Sequence, residues 1–345
     1  MCELKEEQSQ KLVSVIVSNY NGKKYLDGCL NSLQEQTYPV IEIILSDDAS
    51  SDGSVDLVKA NFPDVKVTVN KKNSGLAVTS NNGALLAVGE YLFFFNNDTI
   101  AFPDLILNLV TAIESNQEAG MAYPVPLPFD PNQDNEWEEE HTSQFMACGT
   151  DIYGYPCRAL TVDKIFYPDA GIFIKRSVFD QIGGFDNDFL LYGEDIDISW
   201  RVHLLGYKIA YVEEARFRHD SDCMRMEDEQ VVTNISRRAL VERQVINMML
   251  KYYSFRTIIW IFPRFLILFS AEALYFLFIR MNFTIFSQVY CKAVWWNITR
   301  WPNTLKKRRV IQEIRIVNDK QVMGKMYQGY AKLETIRRLG VPVIR

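Results

Sequence analysis

Short apolar runs alternate with amphipathic stretches through the first third of the chain. Residues 12–17 form a β-branched run, which reads as a buried strand and gives way to Ser18-Asn19-Tyr20-Asn21-Gly22. Tyr25, Leu26, Cys29, Leu30 and Leu33 then recur at helical spacing, and Pro39 stops that helix. Residues 41–45 make a second strand that delivers Asp47 and Asp48 into a turn and opens a helix over 55–61. A strand over 65–69 and a helix over 76–88 lead to residues 91–95, five apolar positions running into Asn96-Asn97-Asp98. This β-α repetition with short connections predicts an α/β fold, Rossmann-like, with a mostly parallel central sheet, right-handed crossovers and helices on both faces.

Beyond the fourth strand the pattern predicts a helix over 102–119 and a strand over 121–125. From 126 to 161 it dissolves into Pro, Asp, Asn and Glu around Trp137, a loop long enough to carry function. Its acidic run at 136–140 reads as a solvated face. A strand over 169–176 follows, then a short helix ending at Gly183-Gly184-Phe185-Asp186. Tyr192-Gly193-Glu194-Asp195-Ile196-Asp197 opens an amphipathic helix carrying Trp200 and Arg201, and a final strand region ends at His219.

Ligands of open α/β sheets bind beyond the carboxyl ends of the strands. Three acidic clusters fall at strand or loop ends here: Asp47 with Asp48, Asp98, and Glu194 with Asp195 and Asp197. With His219 they offer the donor types that suit Mg2+ or Mn2+ holding a diphosphate. A carboxylate pair beside such an ion also supplies a candidate general base. Each cluster has a plain structural alternative, because Asn and Asp cap helices, acidic groups favour helix N-termini, and a lone histidine is often core. No GxGxxG follows the first strand, so the dinucleotide fingerprint is missing. A nucleotidyltransferase would show a Gly-rich basic loop there, which Ser18 to Lys24 does not provide.

Taken in order, these stretches resemble the inverting glycosyltransferases of family 2 with the GT-A fold, in the style of the rhamnosyl- and O-antigen-type enzymes. The resemblance covers most of residues 12–220. It implies that Ser18 and Tyr20 line a base pocket, that Asp47 and Asp48 hold the nucleobase, and that Asn81 faces the nucleotide. Asn96-Asn97-Asp98 occupies the DxD position, so Asn96 and Asn97 would bind the nucleotide-sugar while Asp98 and His219 hold the metal. Asp195 would be the base with Glu194 supporting it, and Gly183, Gly184, Phe185 and Trp200 would shape the acceptor site. Asn96 departs from the pattern, which has an aspartate there, and it adds no charge. The implied reaction is one in-line displacement that inverts the anomeric centre. The implied partners are a nucleoside-diphosphate sugar and a saccharide or lipid-linked acceptor in surface glycan synthesis. A polyprenyl-phosphate glycosyltransferase and a catalytically silent nucleotide-sugar-binding scaffold are the alternatives.

Composition changes the picture mainly in the last third. Of 345 residues 48% are hydrophobic, ample for a large core. The net charge of -6 argues against a nucleic-acid partner. Six cysteines without CxxC pairing suggest reduced thiols in a cytoplasm, and the acidic start is not a signal peptide. The division expected is a catalytic domain over 1–228 and a helical, aromatic and basic region over 229–345. Residues 231–253 read as an amphipathic helix, and 255–286 are densely apolar but broken by Pro263, Arg264, Glu272 and Arg280. No uncharged run there reaches the roughly 20 residues that span a bilayer. Trp295, Trp296 and Trp301, with Lys306-Lys307-Arg308-Arg309 behind, suit the anionic inner face of a cell membrane, giving peripheral association. Helix packing or homo-oligomerisation is the other use such aromatics have, and a transmembrane hairpin is a further alternative.

Overall fold

Eight strands share one sheet in the computed structural model, which describes residues 10–128, 148–159, 161–220, 226–227 and 230–344. In chain order they are β1 (Val13–Asn19), β2 (Ile41–Asp47), β3 (Lys66–Val69), β4 (Tyr91–Asn96), β5 (Thr99–Ala101) and β6 (Ala119–Pro128). A hairpin, β7 (Cys148–Thr150) and β8 (Pro156–Arg158), stands apart, and β9 (Gly171–Lys175) and β10 (Lys208–His219) return to the sheet. The order is β3-β2-β1-β4-β9-β6-β10-β5. β1 to β4 run parallel, and β6 and β10 share their direction, while β9 and β5 oppose it. The expected mostly parallel sheet is present. The acidic run at 136–140 and Trp137 lie outside the described residues.

Side-chain alternation separates two cores. Val13, Val15, Val17, Phe93 and Phe95 face α1 (Lys23–Gln34), α2 (Ser54–Asn61) and α4 (Leu105–Ser115), while α3 (Leu76–Leu86) lies on the opposite side. Ile16, Ile44, Leu92 and Phe94 face α3, α5 (Arg176–Ile182) and α6 (Glu194–Leu204). Tight approach explains α3's apolar but small face: a Cβ on Gly83 would come within 2.4 Å of Ile16.

The core on the α3 side includes helices of the last third of the chain. It continues into α7 (Ile235–Tyr252), α8 (Phe255–Leu274), α9 (Phe283–Ile285), α10 (Lys292–Ile314), α11 (Asp319–Met323) and α12 (Ala331–Leu339). Trp200 of α6 is fully buried there, with ring centroids 5.3 Å from Tyr252 and 5.2 Å from Tyr253. Lys251 of α7, also fully buried, bridges Asp186 at 2.6 Å and Asp197 at 2.7 Å.

The last third differs from expectation in one respect. α8 runs on as a wider π turn to Ile279, giving 25 helical residues, long and apolar enough to cross a membrane by length and composition. Pro263, Arg264 and Glu272 do not end the helix, which stops at Arg280. Arg264 lies over the Trp260 ring, and Glu272 turns inward to Arg238 and Lys332. Thr257, Ile261, Phe265, Phe269 and Ala273 recur every fourth residue as the buried face, and Ile259, Ile267, Phe278 and Ile279 point outward.

Replacing Lys251 with Ala leaves Asp197 and Asp186 as buried charges without their shared cation. The expected loss is about 3–5 kcal/mol, read as a lowered urea midpoint; a midpoint unchanged from wild type would contradict the bridge.

Candidate active site

The sheet directions bring the chemistry to one edge. The carboxyl ends of β1, β4 and β10 meet the start of antiparallel β9, so Ser18, Asn96, His219 and Asp169 all arrive there. A cleft at this edge is lined by Ser18, Ser80, Asn96, Asp169, Phe185, Glu194 and Asp195. Ser18 Oγ lies 3.0 Å from Ser80 Oγ on α3, and the Asn96 amide donates to Ala170 O at 3.1 Å.

Other residues singled out from the sequence are committed to protein contacts. Asp47 is fully buried and accepts from Asn19 Nδ2 at 2.7 Å and the Ser50 amide at 2.8 Å. Asn19 Oδ1 in turn accepts from Asn97 Nδ2 at 2.6 Å, which links the ends of β2, β1 and β4. Asp48 accepts from the Ser74 and Gly75 amides and from Asn70 Nδ2, each at 2.8 Å, and so shapes the entry to α3. Gly75 fits there because φ is +91° and a Cβ would lie 2.4 Å from Leu190 O. Tyr20 is half exposed at the rim.

On the facing side, Asn81 clamps the Phe185 backbone with its amide, Oδ1 accepting from Phe185 N and Nδ2 donating to Phe185 O, both at 2.9 Å. The Phe185 ring meets Phe94 edge-on at 4.8 Å. Gly183 and Gly184 form the left-handed turn behind it, and Gly184 O accepts from Arg201 at 2.5 Å. Trp200, expected to shape the acceptor site, is instead fully buried in the core against Phe166, Tyr252 and Tyr253. The structure therefore gathers Ser18, Asn96, Phe185, Glu194 and Asp195 around one space, with Asp47, Asp48, Asn81 and Asn97 supporting its walls.

Asp169 is the cleft residue that sequence reasoning passed over. It precedes an apolar strand, and only the antiparallel direction of β9 puts that end beside Asn96 and Glu194. Its charge acts on both Glu194 and Asp195. Burial pushes the Glu194 carboxyl up to about 7, and Asp169 and Asp197 add to the shift. Asp195 is also raised well above the carboxylate range, by burial first and then by Glu194 and Asp169. The α6 N-terminus opposes these effects only in part. Glu194 Oε2 is buried without a hydrogen-bond partner. Backbone strain sits around the same cleft: Asn21, Ala49, Ala170 and Tyr192 hold φ between 51° and 65° without being glycine.

Asp98 and His219 lie side by side, Asp98 Oδ1 3.4 Å from His219 Nε2. Burial works against charge on His219, but Asp98 outweighs it and raises the imidazole's affinity for a proton. Asp98 Oδ1 and His219 Nδ1 are buried without hydrogen-bond partners. This pair fits one edge of a divalent-cation site. Among the described residues no group of three acidic, His or Cys side chains converges, so any such ion would draw further oxygens from a ligand.

Residues 14–185 match the profile described as Glycosyl transferase family 2. This region is a glycosyltransferase family 2 domain. The chain is 26% identical over 211 residues to the poly-beta-1,6-N-acetyl-D-glucosamine synthase of Staphylococcus epidermidis, across 60% of this chain and 49% of that protein. It spans about half the length of such curated relatives. The mannosyltransferase PcManGT from Pyrobaculum calidifontis, solved with GDP-Man and Mn2+, superposes with TM-score 0.53 at 16% identity, over 89% of this chain and 86% of that one. S. aureus TarS 1–349 superposes with TM-score 0.51 at 17% identity, over 95% and 92%. These likenesses confirm the GT-A fold of the family 2 domain, with a C-terminal apolar helix beside it.

The raised acids make stability depend on pH. With the folded value of Glu194 near 7 and the unfolded one near 4.5, the folded state holds the extra proton between them. Its stabilisation is therefore complete below about pH 4.5 and lost as pH rises through 7. Urea midpoints of wild type should fall from pH 5 to pH 8 more steeply than those of Glu194→Gln; identical slopes would contradict the shift.

Proposed function

We propose that the family 2 domain transfers a hexosyl or rhamnosyl unit from a nucleoside-diphosphate sugar to a hydroxyl of a saccharide or lipid-linked acceptor, with inversion, in surface glycan synthesis. One observation carries this reading. Glu194 and Asp195 form a desolvated acid pair across a narrow cleft from Ser18 and Asn96, at the ligand-binding edge of the sheet. The names of the relatives, a polysaccharide synthase and a mannosyltransferase with GDP-Man, support the donor class.

On this reading the nucleotide lies along Ser18, Tyr20 and Asn96, over the floor braced by Asp47, Asn97 and Asp48. Asp98 and His219 would hold Mg2+ or Mn2+ together with the diphosphate, and the ion would neutralise charge on that leaving group. The acceptor enters along Phe185, whose ring edge is fixed by Phe94 and whose backbone is fixed by Asn81. Asp195 takes the acceptor hydroxyl proton. Burial first, then Glu194 and Asp169, raises its affinity for that proton. Asn96 orients the donor by hydrogen bonds and leaves charge to Asp98.

Outward apolar groups support attachment to the inner face of a cell membrane. Trp295, Trp301, Ile298 and Phe283 are well exposed, and Arg300, Lys306 and Arg309 accompany them. An in-plane orientation agrees with α8 keeping one face in the protein core.

Asp195→Asn should lower kcat by about 10²- to 10⁴-fold while donor-nucleotide affinity stays as in wild type. Retained turnover, or lost nucleotide binding in a folded protein, would reject the assignment. In co-sedimentation, the full chain should bind phosphatidylglycerol vesicles, and salt should weaken the binding. The double variant Trp295→Ser, Trp301→Ser should bind several-fold less; equal binding would remove these residues from the contact.

A further inference from the structure

Arg243 of α7 carries a guanidinium that the rest of the chain does not satisfy. Its Nε and Nη2 are buried without a hydrogen-bond partner, and among the described residues it forms no ion pair. Leaving buried donors unmade is costly, and more so on a charged group. Nε and Nη2 share one edge of the guanidinium and point the same way. That edge is the fork that takes two oxygens of one oxyanion.

The surroundings add positive charge and no free carboxylate. The Arg243 guanidinium lies 4.5 Å from the ring centroid of Trp296 on α10, and the Arg300 guanidinium lies 5.8 Å from the same centroid. Burial disfavours charge on Arg243, Asp188 favours it and Arg300 opposes it. Asp188 is already shared by Arg300 at 3.5 Å, Lys307 at 2.6 Å and Asn303 Nδ2 at 2.6 Å. Asp186 is held by Lys251 and Lys307, and Asp197 by Lys251 and Arg201. Four cations thus hold these three carboxylates, and Arg243 is not among the four.

Position ties the two arginines to the cleft. Asp188 stands in the loop between Phe185 and Glu194, both of which line the cleft. Gln244, the neighbour of Arg243, donates to Leu191 O of that loop at 3.1 Å. On α10, Trp295, Ile298 and Trp301 are exposed close by in sequence. A group held at Arg243 rests against the loop that leads into the acid pair, with an apolar surface at hand.

We infer that Arg243 and Arg300, gathered at Trp296, bind a phosphate monoester, the Arg243 fork taking two of its oxygens and Arg300 adding charge. A monoester suits two cations better than a carboxylate does, because it carries up to two charges and three free oxygens. A phosphorylated acceptor and a lipid with a monoester headgroup share this chemistry. Use of the site by an acceptor rests on the glycosyl-transfer reading, whereas binding of the phosphate does not.

The test is calorimetric titration of the full chain with glycerol phosphate, acetate and glycerol, in EDTA so that no divalent ion draws phosphate to Asp98 and His219. Glycerol phosphate should bind one to one, acetate at least about tenfold more weakly, and glycerol undetectably. Arg243→Gln should weaken glycerol phosphate at least about tenfold. Arg243→Lys keeps the charge without the fork and should recover only part of that loss. Arg300→Gln, at an exposed position, should weaken binding by a smaller factor, and urea midpoints on the same samples report whether each variant is folded. Wild-type affinity in folded Arg243→Gln, full recovery in Arg243→Lys, or acetate binding as tightly as glycerol phosphate would overturn the site. Vesicles separate the sources. Weaker binding of Arg243→Gln to phosphatidic acid vesicles, with phosphatidylglycerol vesicles bound as by wild type, supports a lipid phosphate. Wild-type binding to both, with glycerol phosphate weakened, supports a soluble acceptor phosphate. Phosphate binding that depends on Arg243 in a chain that no nucleoside-diphosphate sugar stabilises would sink the transferase reading alone. Stabilisation by such a sugar without phosphate binding at Arg243 would sink this site alone.

Discussion

Lys251 is a fully buried cation between two carboxylates, and the position of the acidic loop depends on it. Burying the ammonium costs several kcal/mol before any attraction is counted, and only close, saturated geometry offsets that. Here it has such geometry: Asp186 at 2.6 Å and Asp197 at 2.7 Å. Asp197 also accepts from Tyr252 Oη and, at 2.6 Å, from Arg201. Arg201 donates onward to Ile182 O at 2.9 Å and to Gly184 O. Burial works to raise Asp186, but Lys251 and Lys307 hold it well below the usual carboxylate range. The loop carrying Phe185, Glu194 and Asp195 is therefore fastened from beneath at both ends.

This arrangement explains why acids can be unpaired in one place and paired a helical turn away. Asp197 lies on the inward side of α6, saturated by cations. Glu194 and Asp195, at the start of the same helix, face a cleft with no cation from α7 or α10 to neutralise them. Desolvation without pairing gives them high proton affinity, and pairing without solvent gives Asp197 its structural role. It also gives the last third of the chain two duties. α7 and α10 brace the loop through Lys251, Lys307 and Gln244, which donates to Leu191 O at 3.1 Å. α8 and α10 present apolar side chains outward.

Much of the fold was legible because β4 is a continuous apolar run and β1 and β2 are apolar but for Ser14 and Glu42, each ending in a polar turn, and that pattern marks strands buried on both faces. The carboxyl-end rule then located Ser18, Asn96 and Asp98 together. Glu194 and Asp195 were legible as an acidic helix start. Asp169 was not, since its place depends on β9 running antiparallel, which local sequence does not encode. Asp47 and Asn97 resemble ligands in sequence, yet Asn19 ties both into the frame. Lys251 was hidden inside an ordinary amphipathic helix, because its partners lie 54 and 65 residues away. α8 was underestimated for a related reason: its charged residues find partners on other elements or on a neighbouring ring, so they do not interrupt the helix.

In the proposed reaction the cleft between Ser18, Asn96 and the acidic loop holds a nucleoside-diphosphate sugar, and Asp98 and His219 would hold the divalent ion. The most direct measurement is thermal stabilisation of the full chain by UDP-, GDP-, CMP- and dTDP-sugars, with and without Mn2+, in wild type and Asp98→Ala. One nucleotide class should raise Tm, Mn2+ should increase the rise, and Asp98→Ala should lose only the metal-dependent part. No stabilisation by any of them, or an undiminished Mn2+ effect in Asp98→Ala, would contradict that assignment.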